Sequence, residues 1–325
     1  MNFCLYGIIV AFDDVLQVLI KEAFHSLRSD AAPDLFIQLK PEGSLCTNDW
    51  SLWWRSWSSN ARGDPEFCVF QHDSGALKMV YDDGVSFTLD STGTHITVAI
   101  PEYFDLESLL PALMGPVLGV ALRLRGTTCL HASAVVVNGQ ALGLVGVSGA
   151  GKSSTAAALA MQGWPVLTDD VLALMPQSGA YAVAPAYPRL RLWPSSVRSL
   201  LGSEDRLPRM MPTTDKRILA LDGSMASFHR LPAPLSALYF LEERTAGAGT
   251  FSELRPATAL MRLIADSYAS RFLSEQQRAD EFRQLSRLVQ QVKLTEVHAP
   301  DDLEQLGSFA SSIVEHFKAS MRPAV

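Results

Sequence analysis

The run GVSGAGKS, residues 146 to 153, has the spacing of a phosphate-cradling loop. Gly146, Gly149 and Gly151 let the backbone aim successive N–H groups inward, and Val147, Ser148 and Ala150 complete a cradle around phosphate oxygens. Lys152 offers a point charge to the β- and γ-phosphates, while the Ser153 hydroxyl suits a magnesium shell, with Ser154 beside it on the helix that follows. Beyond that helix, WPVLTDD ends in Asp169 and Asp170. A carboxylate at a strand end beside such a loop holds magnesium or takes the proton of an attacking hydroxyl, and two adjacent carboxylates can divide these tasks. Side chains alternate along a strand, so both serve one site only where the strand ends or bends. The plainer alternative is a turn or a helix N-cap for VLALM. Ahead of the loop, LHASAV carries His131. A lone histidine in an apolar strand is ordinarily a satisfied core or surface residue, and its place just before the loop is what draws it into the chemistry.

Other residues stand as contact candidates. Arg189 and Arg191 in YPRLRLWP are two apart, so on a strand they share a face and can clamp a phosphate or a peptide carboxylate, or simply form a solvated basic face. Lys216 and Arg217 follow the Pro-rich stretch LPRMMPTTD and read either as part of a mobile loop closing over ATP or as an ordinary charged loop. Trp50, Trp53, Trp54 and Trp57 could form a peptide-binding surface, against the simpler reading of a packed core-and-edge strand.

These residues need elements to hold them. LHASAVVV, NGQ, ALGLVG, the loop, the Ala-rich SSTAAALAMQG and PVLTDD give strand, turn, strand, phosphate loop, helix and acidic strand end, which is nucleotide-binding order. Further on, YAVAPAYPRLRLWP reads as strand and loop and LSALYFLEE as a buried strand. The stretch 257–289 reads as helix, VKLTEVHAP as a last strand and 302–319 as a C-terminal helix. From 1 to about 103 the pattern is short strands with turns at GDP, HDSG, DDG and DSTG, read as an antiparallel meander broken by one helix, DDVLQVLIKEAFHSL. The expected organisation is an N-terminal α+β module over 1–104, structural or peptide-recognising, and a nucleotide-binding domain over 105–325.

Composition sets limits. A chain of 325 residues with 48% hydrophobic side chains is long enough for about two domains with separate cores. A formal net charge of -7 gives no basic face in bulk and argues against a general nucleic-acid binder. Cys4, Cys46, Cys68 and Cys129 have no CxxC spacing, so reduced thiols are expected rather than a disulfide framework or a zinc site. The segment 105–124 reads as helix-compatible, and the longest apolar run within it, 109–122, contains Pro111 and Pro116 and falls short of a membrane span. The opening MNFCLYGIIVAF lacks a basic n-region and reads as strand. A soluble cytoplasmic protein without membrane or nucleic-acid partners is expected.

Together, HASAVVVNGQALGLVGVSGAGKSS and GWPVLTDD resemble the catalytic domain of bacterial HPr kinase/phosphorylase and its wider family, over about residues 120–172. The resemblance implies a P-loop kinase domain of the HPr kinase and phosphoenolpyruvate carboxykinase type, using ATP and magnesium to phosphorylate a serine hydroxyl. Carried over by position, Asp170 is the base, Asp169 and Ser153 hold the metal, His131 lies beside the transferring phosphate and Lys152 stabilises its charge. It also implies a homo-oligomer. YPRLRLWPSS has no carboxylate where HPr kinase carries Glu-x-Arg-Gly, which counts against HPr as acceptor and against the reverse reaction. The wording LRLRGTTCLHASAV, VLTDDVLAL and YPRLRLWP is similar to HPr-kinase-like proteins of lasso-peptide biosynthesis, which implies the C-terminal serine of a precursor peptide as acceptor. The alternatives are a kinase acting on a small-molecule hydroxyl, an HPr-type protein kinase, and an NTPase module that transfers no phosphate; the last lacks an LSGGQ signature of the transporter kind.

Overall fold

The computed structural model describes residues 1–21, 24–41, 49–56, 59–60, 63–102, 104–211, 214–247 and 249–321. It is a mixed α/β structure with several sheets. The chain forms two compact units, Met1–Gly126 and Thr127–Val325.

In the first unit, Asn2–Leu5 and Ile8–Phe12 form a hairpin through Tyr6 and Gly7, both at positive φ, as a tight turn matched to strand twist requires. The hairpin opens a nine-stranded sheet. The sheet is not purely the antiparallel meander expected: Ile8–Phe12 runs parallel to Leu35–Pro41, and Leu35–Pro41 parallel to His95–Ile100. The first connection is made by the helix Asp14–Ile20, capped by the Asp13 carboxylate, which accepts from the Leu16 N–H at 2.9 Å. Trp50–Arg55 is an edge strand with Trp50 against His72 and Trp54 against Phe67, so these two tryptophans pack within the sheet face; Trp57 lies outside the described residues.

The first unit extends to Gly126. Residues 106–124 are helical, and they pack on the first unit: the Tyr6 hydroxyl donates to the Met114 carbonyl at 2.6 Å, and the Ala121 carbonyl comes so close to Gly93 that a Cβ there would stand 2.5 Å away. Pro111 falls in the first turn, where no N–H partner is needed, and Pro116 is absorbed by a π-helical turn over Leu113–Val117. By length and composition Leu106–Leu124 is apolar enough to cross a membrane, and 72% of its apolar window is buried in the fold.

The second unit is built on a sheet whose loop strand, Gln140–Val145, lies antiparallel to Ala132–Val137 and parallel to Ala233–Leu241, which in turn is parallel to Lys293–His298. Alternation sends Val135, Val137, Leu142 and Leu144 to one face, against the helices Lys152–Met161 and Leu306–Ser320. Ala134, Val136, Ala141 and Val145 go to the other, against Pro256–Ala265 and Glu275–Leu288. Helices on both faces account for near-continuous apolar strands. The Ala-rich helix Lys152–Met161 has small side chains on every side and is buried from Ser154 to Ala160, which seats its N-terminus directly on the strand ends. A three-stranded sheet of Arg189–Leu192, Thr214–Ala220 and Arg209–Met211 completes the unit. Among the described cysteines, Cys129 is buried, Cys4 and Cys68 are half-buried and all three are free thiols; Cys46 lies outside the described residues.

Candidate active site

Gly146 leaves the loop strand at φ 149°, with the Leu241 carbonyl only 2.6 Å from where a Cβ would sit. Both facts demand glycine. Gly151, at φ 102°, forms the N-cap of the helix beginning at Lys152, so the loop N–H groups and the positive helix end converge on one spot. The Lys152 ammonium is folded back onto the loop, donating to the Gly146 carbonyl at 2.6 Å and the Val147 carbonyl at 3.0 Å. Burial pulls its pKa down, and the nearby carboxylates of Asp170, Asp266 and Asp169 oppose that pull.

The strand Val166–Thr168 stops just short of the acidic pair. Asp170 sits at φ 70° inside a three-residue turn closed by the Val171 N–H donating to the Asp169 carbonyl at 2.9 Å. This left-handed residue breaks strand alternation and lets both carboxylates reach one site. Asp169 is buried and its Oδ1 accepts from the Ser153 hydroxyl at 2.8 Å and the Ser133 hydroxyl at 2.6 Å. Asp170 meets Arg191 Nη2 at 2.6 Å and His131 Nδ1 at 3.3 Å, and its carbonyl lies 3.2 Å from the same histidine nitrogen. Burial alone would push the Asp170 carboxyl up; Arg191, and then His131, outweigh it and hold the group well below the usual carboxylate range. In this arrangement Asp170 is a strong orienting acceptor and a weak base.

His131, Lys152, Ser153, Ser154, Asp170, Arg191 and Lys216 all line one cleft of about 400 Å³. Ser154 points at the Ser196 hydroxyl, 2.7 Å away at the start of the helix Pro194–Leu201. The segment read as a mobile loop is a hairpin whose strand Thr214–Ala220 carries both Lys216 and Arg217. Alternation therefore separates the two residues. Lys216 enters the cleft and its ammonium lies 4.9 Å from the Trp193 ring centroid. Burial, and next the charge of Arg191, lowers its pKa. Arg217 is buried and does not line the cleft, with Glu204 at 3.6 Å and Asp205 at 3.8 Å. Arg189 shares the strand face of Arg191 but does not line the cleft.

Three participants escaped the sequence reading. Arg244 follows the central strand Ala233–Leu241, and its guanidinium approaches Gly151 so closely that a Cβ there would be 2.9 Å from Nη2. Ser133 is hidden in an apolar strand. Trp193 precedes a helix in a run that reads as ordinary turn. The only signal for Arg244 was its position just after LYFLEE, at the carboxyl end of a buried strand, where ligands of open α/β sheets gather.

A magnesium ion at the loop would meet oxygen donors of the right hardness in Ser153 and Asp169. No cluster of three or more His, Cys, Asp or Glu suited to a metal occurs among the described residues.

No protein-family model matches the chain, and no curated protein matches it. Among solved structures, that of the Hpr(Ser) kinase/phosphatase from Coxiella burnetii is similar with a TM-score of 0.33 and 11% identity, covering 59% of this chain and 97% of that one.

Proposed function

We propose that the second unit is an ATP- and magnesium-dependent kinase that transfers the γ-phosphoryl group to a serine hydroxyl of a peptide or protein. The observation that carries this reading is the acidic turn. One carboxylate, Asp169, is tied to the loop serine, and the next, Asp170, is turned into the open cleft between His131 and Arg191. The open space in front of Asp170 is where an acceptor hydroxyl would sit.

Ser153 and Asp169 would hold magnesium, which when bound neutralises charge on the β- and γ-phosphate oxygens. Lys152 turns its ammonium from the Gly146 and Val147 carbonyls to the phosphate oxygens. Asp170 accepts the hydrogen bond of the acceptor hydroxyl and aims its oxygen in line with the γ-phosphorus. As the new O–P bond forms, the bond to the β-phosphate oxygen breaks, ADP departs and the hydroxyl proton passes to Asp170. Arg191 gives this step a switch: a guanidinium that turns from Asp170 to the moving phosphoryl group stabilises its charge and frees Asp170 to act as a base.

For the acceptor, the resemblance carried by His131, the loop and YPRLRLWP points to the C-terminal serine of a lasso-peptide precursor, with Arg191 and Lys216 facing the peptide. Intact-mass measurement after incubation with ATP, magnesium and a panel of serine-ending precursor peptides tests this. One added phosphate, lost when the terminal serine is alanine, is expected. Phosphorylation of an internal serine instead would remove the terminal-serine assignment, and no gain on any peptide would remove the peptide acceptor.

A further inference from the structure

Arg191 lies opposite Ile218 and Leu192 opposite Arg217, so the next step of this antiparallel register brings Lys216 beside Trp193. Both line the cleft together with Arg191 and Asp170. The half-buried Lys216 ammonium stands 4.9 Å from the Trp193 ring centroid, and among the described residues no carboxylate comes within ion-pair distance of it. The acidic pair is engaged elsewhere: Asp170 with Arg191 and His131, Asp169 with Ser153 and Ser133. Lys216 is therefore a cation removed from water and set near a second cation, Arg191, and both effects lower its pKa. An anion brought by a ligand would relieve both.

We infer that Lys216 selects the acceptor by binding a carboxylate that the acceptor carries next to the hydroxyl to be phosphorylated. The inference rests on the kinase reading, which sets that hydroxyl at Asp170. Arg191, joined to Asp170 at 2.6 Å, and Lys216 stand on adjacent strands one register step apart. Adjacent strands are about 4.8 Å apart, comparable to the ~3.8 Å between successive Cα atoms of a peptide, so one acceptor residue spans the two positions. Trp193, 53% exposed, holds the ammonium over its ring and offers a flat apolar surface to the acceptor residue beside it. The transferring phosphoryl group is the competing anion, and Lys152, Arg191 and the loop N–H groups already address it. The carboxylate has two sources, the free end of a terminal serine or an acidic side chain next to an internal one, and an ammonium takes either as a charge-assisted contact.

The test measures kcat/KM of the full chain, with ATP and magnesium, on three peptides that differ only at the end. One closes on a serine with a free carboxylate, one on the same serine amidated, and one on the amidated serine preceded by aspartate. The free acid, the aspartate peptide or both should exceed the plain amide by about 10- to 100-fold, the worth of one charge-assisted contact. The better of the two tells whether the carboxylate is that of the chain end or of a side chain. In Lys216→Met this preference should fall to about one, and Lys216→Arg should keep most of it. Equal kcat/KM on all three peptides in the unaltered protein would overturn the inference without any variant. A Lys216→Met protein whose three values drop by one common factor would also overturn it, and would assign the ammonium to the phosphoryl group. No phosphate on any of the three from the unaltered protein would remove the peptide acceptor itself, and this inference with it.

Discussion

At the scale of single residues, Asp170 concentrates the chemistry. Its charge is held by Arg191 and His131, yet its place in the cleft is that of the acceptor-facing carboxylate. Asp170→Asn keeps the shape and removes the charge. ATP affinity should persist while transfer falls by about 10²–10⁴-fold; a variant that transfers at the parent rate would refute the base. Arg191→Ala tests the electrostatics. Without the guanidinium, the largest of the opposing charges is gone and burial is opposed by His131 and the charges of Lys152 and Lys216, so the Asp170 pKa rises and the acid limb of the pH–rate profile should move to higher pH, with a lower maximum. The depressed carboxyl also stabilises the fold above its unfolded pKa of about 3.9, and that stability is lost as pH falls through the folded value. An acid limb that stays in place in Arg191→Ala would mean that another group controls the profile. His131, Lys152, Ser153 and the acidic pair were legible because loop and strand-end chemistry is written in residue type and spacing. Ser133 and Arg244 were not, because a serine in an apolar strand and an arginine after one acquire meaning only when the sheet brings distant strands together.

At the scale of elements, the loop and the acidic turn depend on backbone that few residues can adopt. Gly146→Ala would set a Cβ at 2.6 Å from the Leu241 carbonyl at a left-handed φ, so the loop must lift from the central strand. Stability should drop by about 2 kcal/mol in denaturant titration, with ATP binding weakened in parallel; unaltered stability would show that the close approach is not rigid. The stretch 257–289, read as helical, is two helices, Pro256–Ala265 and Glu275–Leu288, while the strands and helix around the phosphate loop followed from apolar periodicity and turn residues. The strand Thr214–Ala220 did not. Its Pro-rich approach, LPRMMPTTD, looks like loop, and only pairing with Arg189–Leu192 makes it strand and splits Lys216 from Arg217. The helix over 106–124 was legible as helix, but its allegiance was not, since a helix with apolar residues on most sides carries no mark of which sheet it will cover.

For the whole molecule, the chain forms two compact units, and the residues lining the candidate site all lie in the second. Tyr6→Phe removes a buried hydrogen bond to Met114 in the first unit and should cost about 1 kcal/mol of that unit's stability while leaving the ATP dissociation constant unchanged. A shift in ATP affinity in Tyr6→Phe would instead couple the first unit to the site. The central claim, that phosphate goes from ATP to a serine hydroxyl, is met most directly by measuring ADP and phosphopeptide together in one reaction of the full chain with ATP, magnesium and a serine-ending peptide. A kinase gives one phosphopeptide for each ADP, and both vanish in Lys152→Ala. ADP accompanied by free phosphate, with no phosphopeptide, would contradict it.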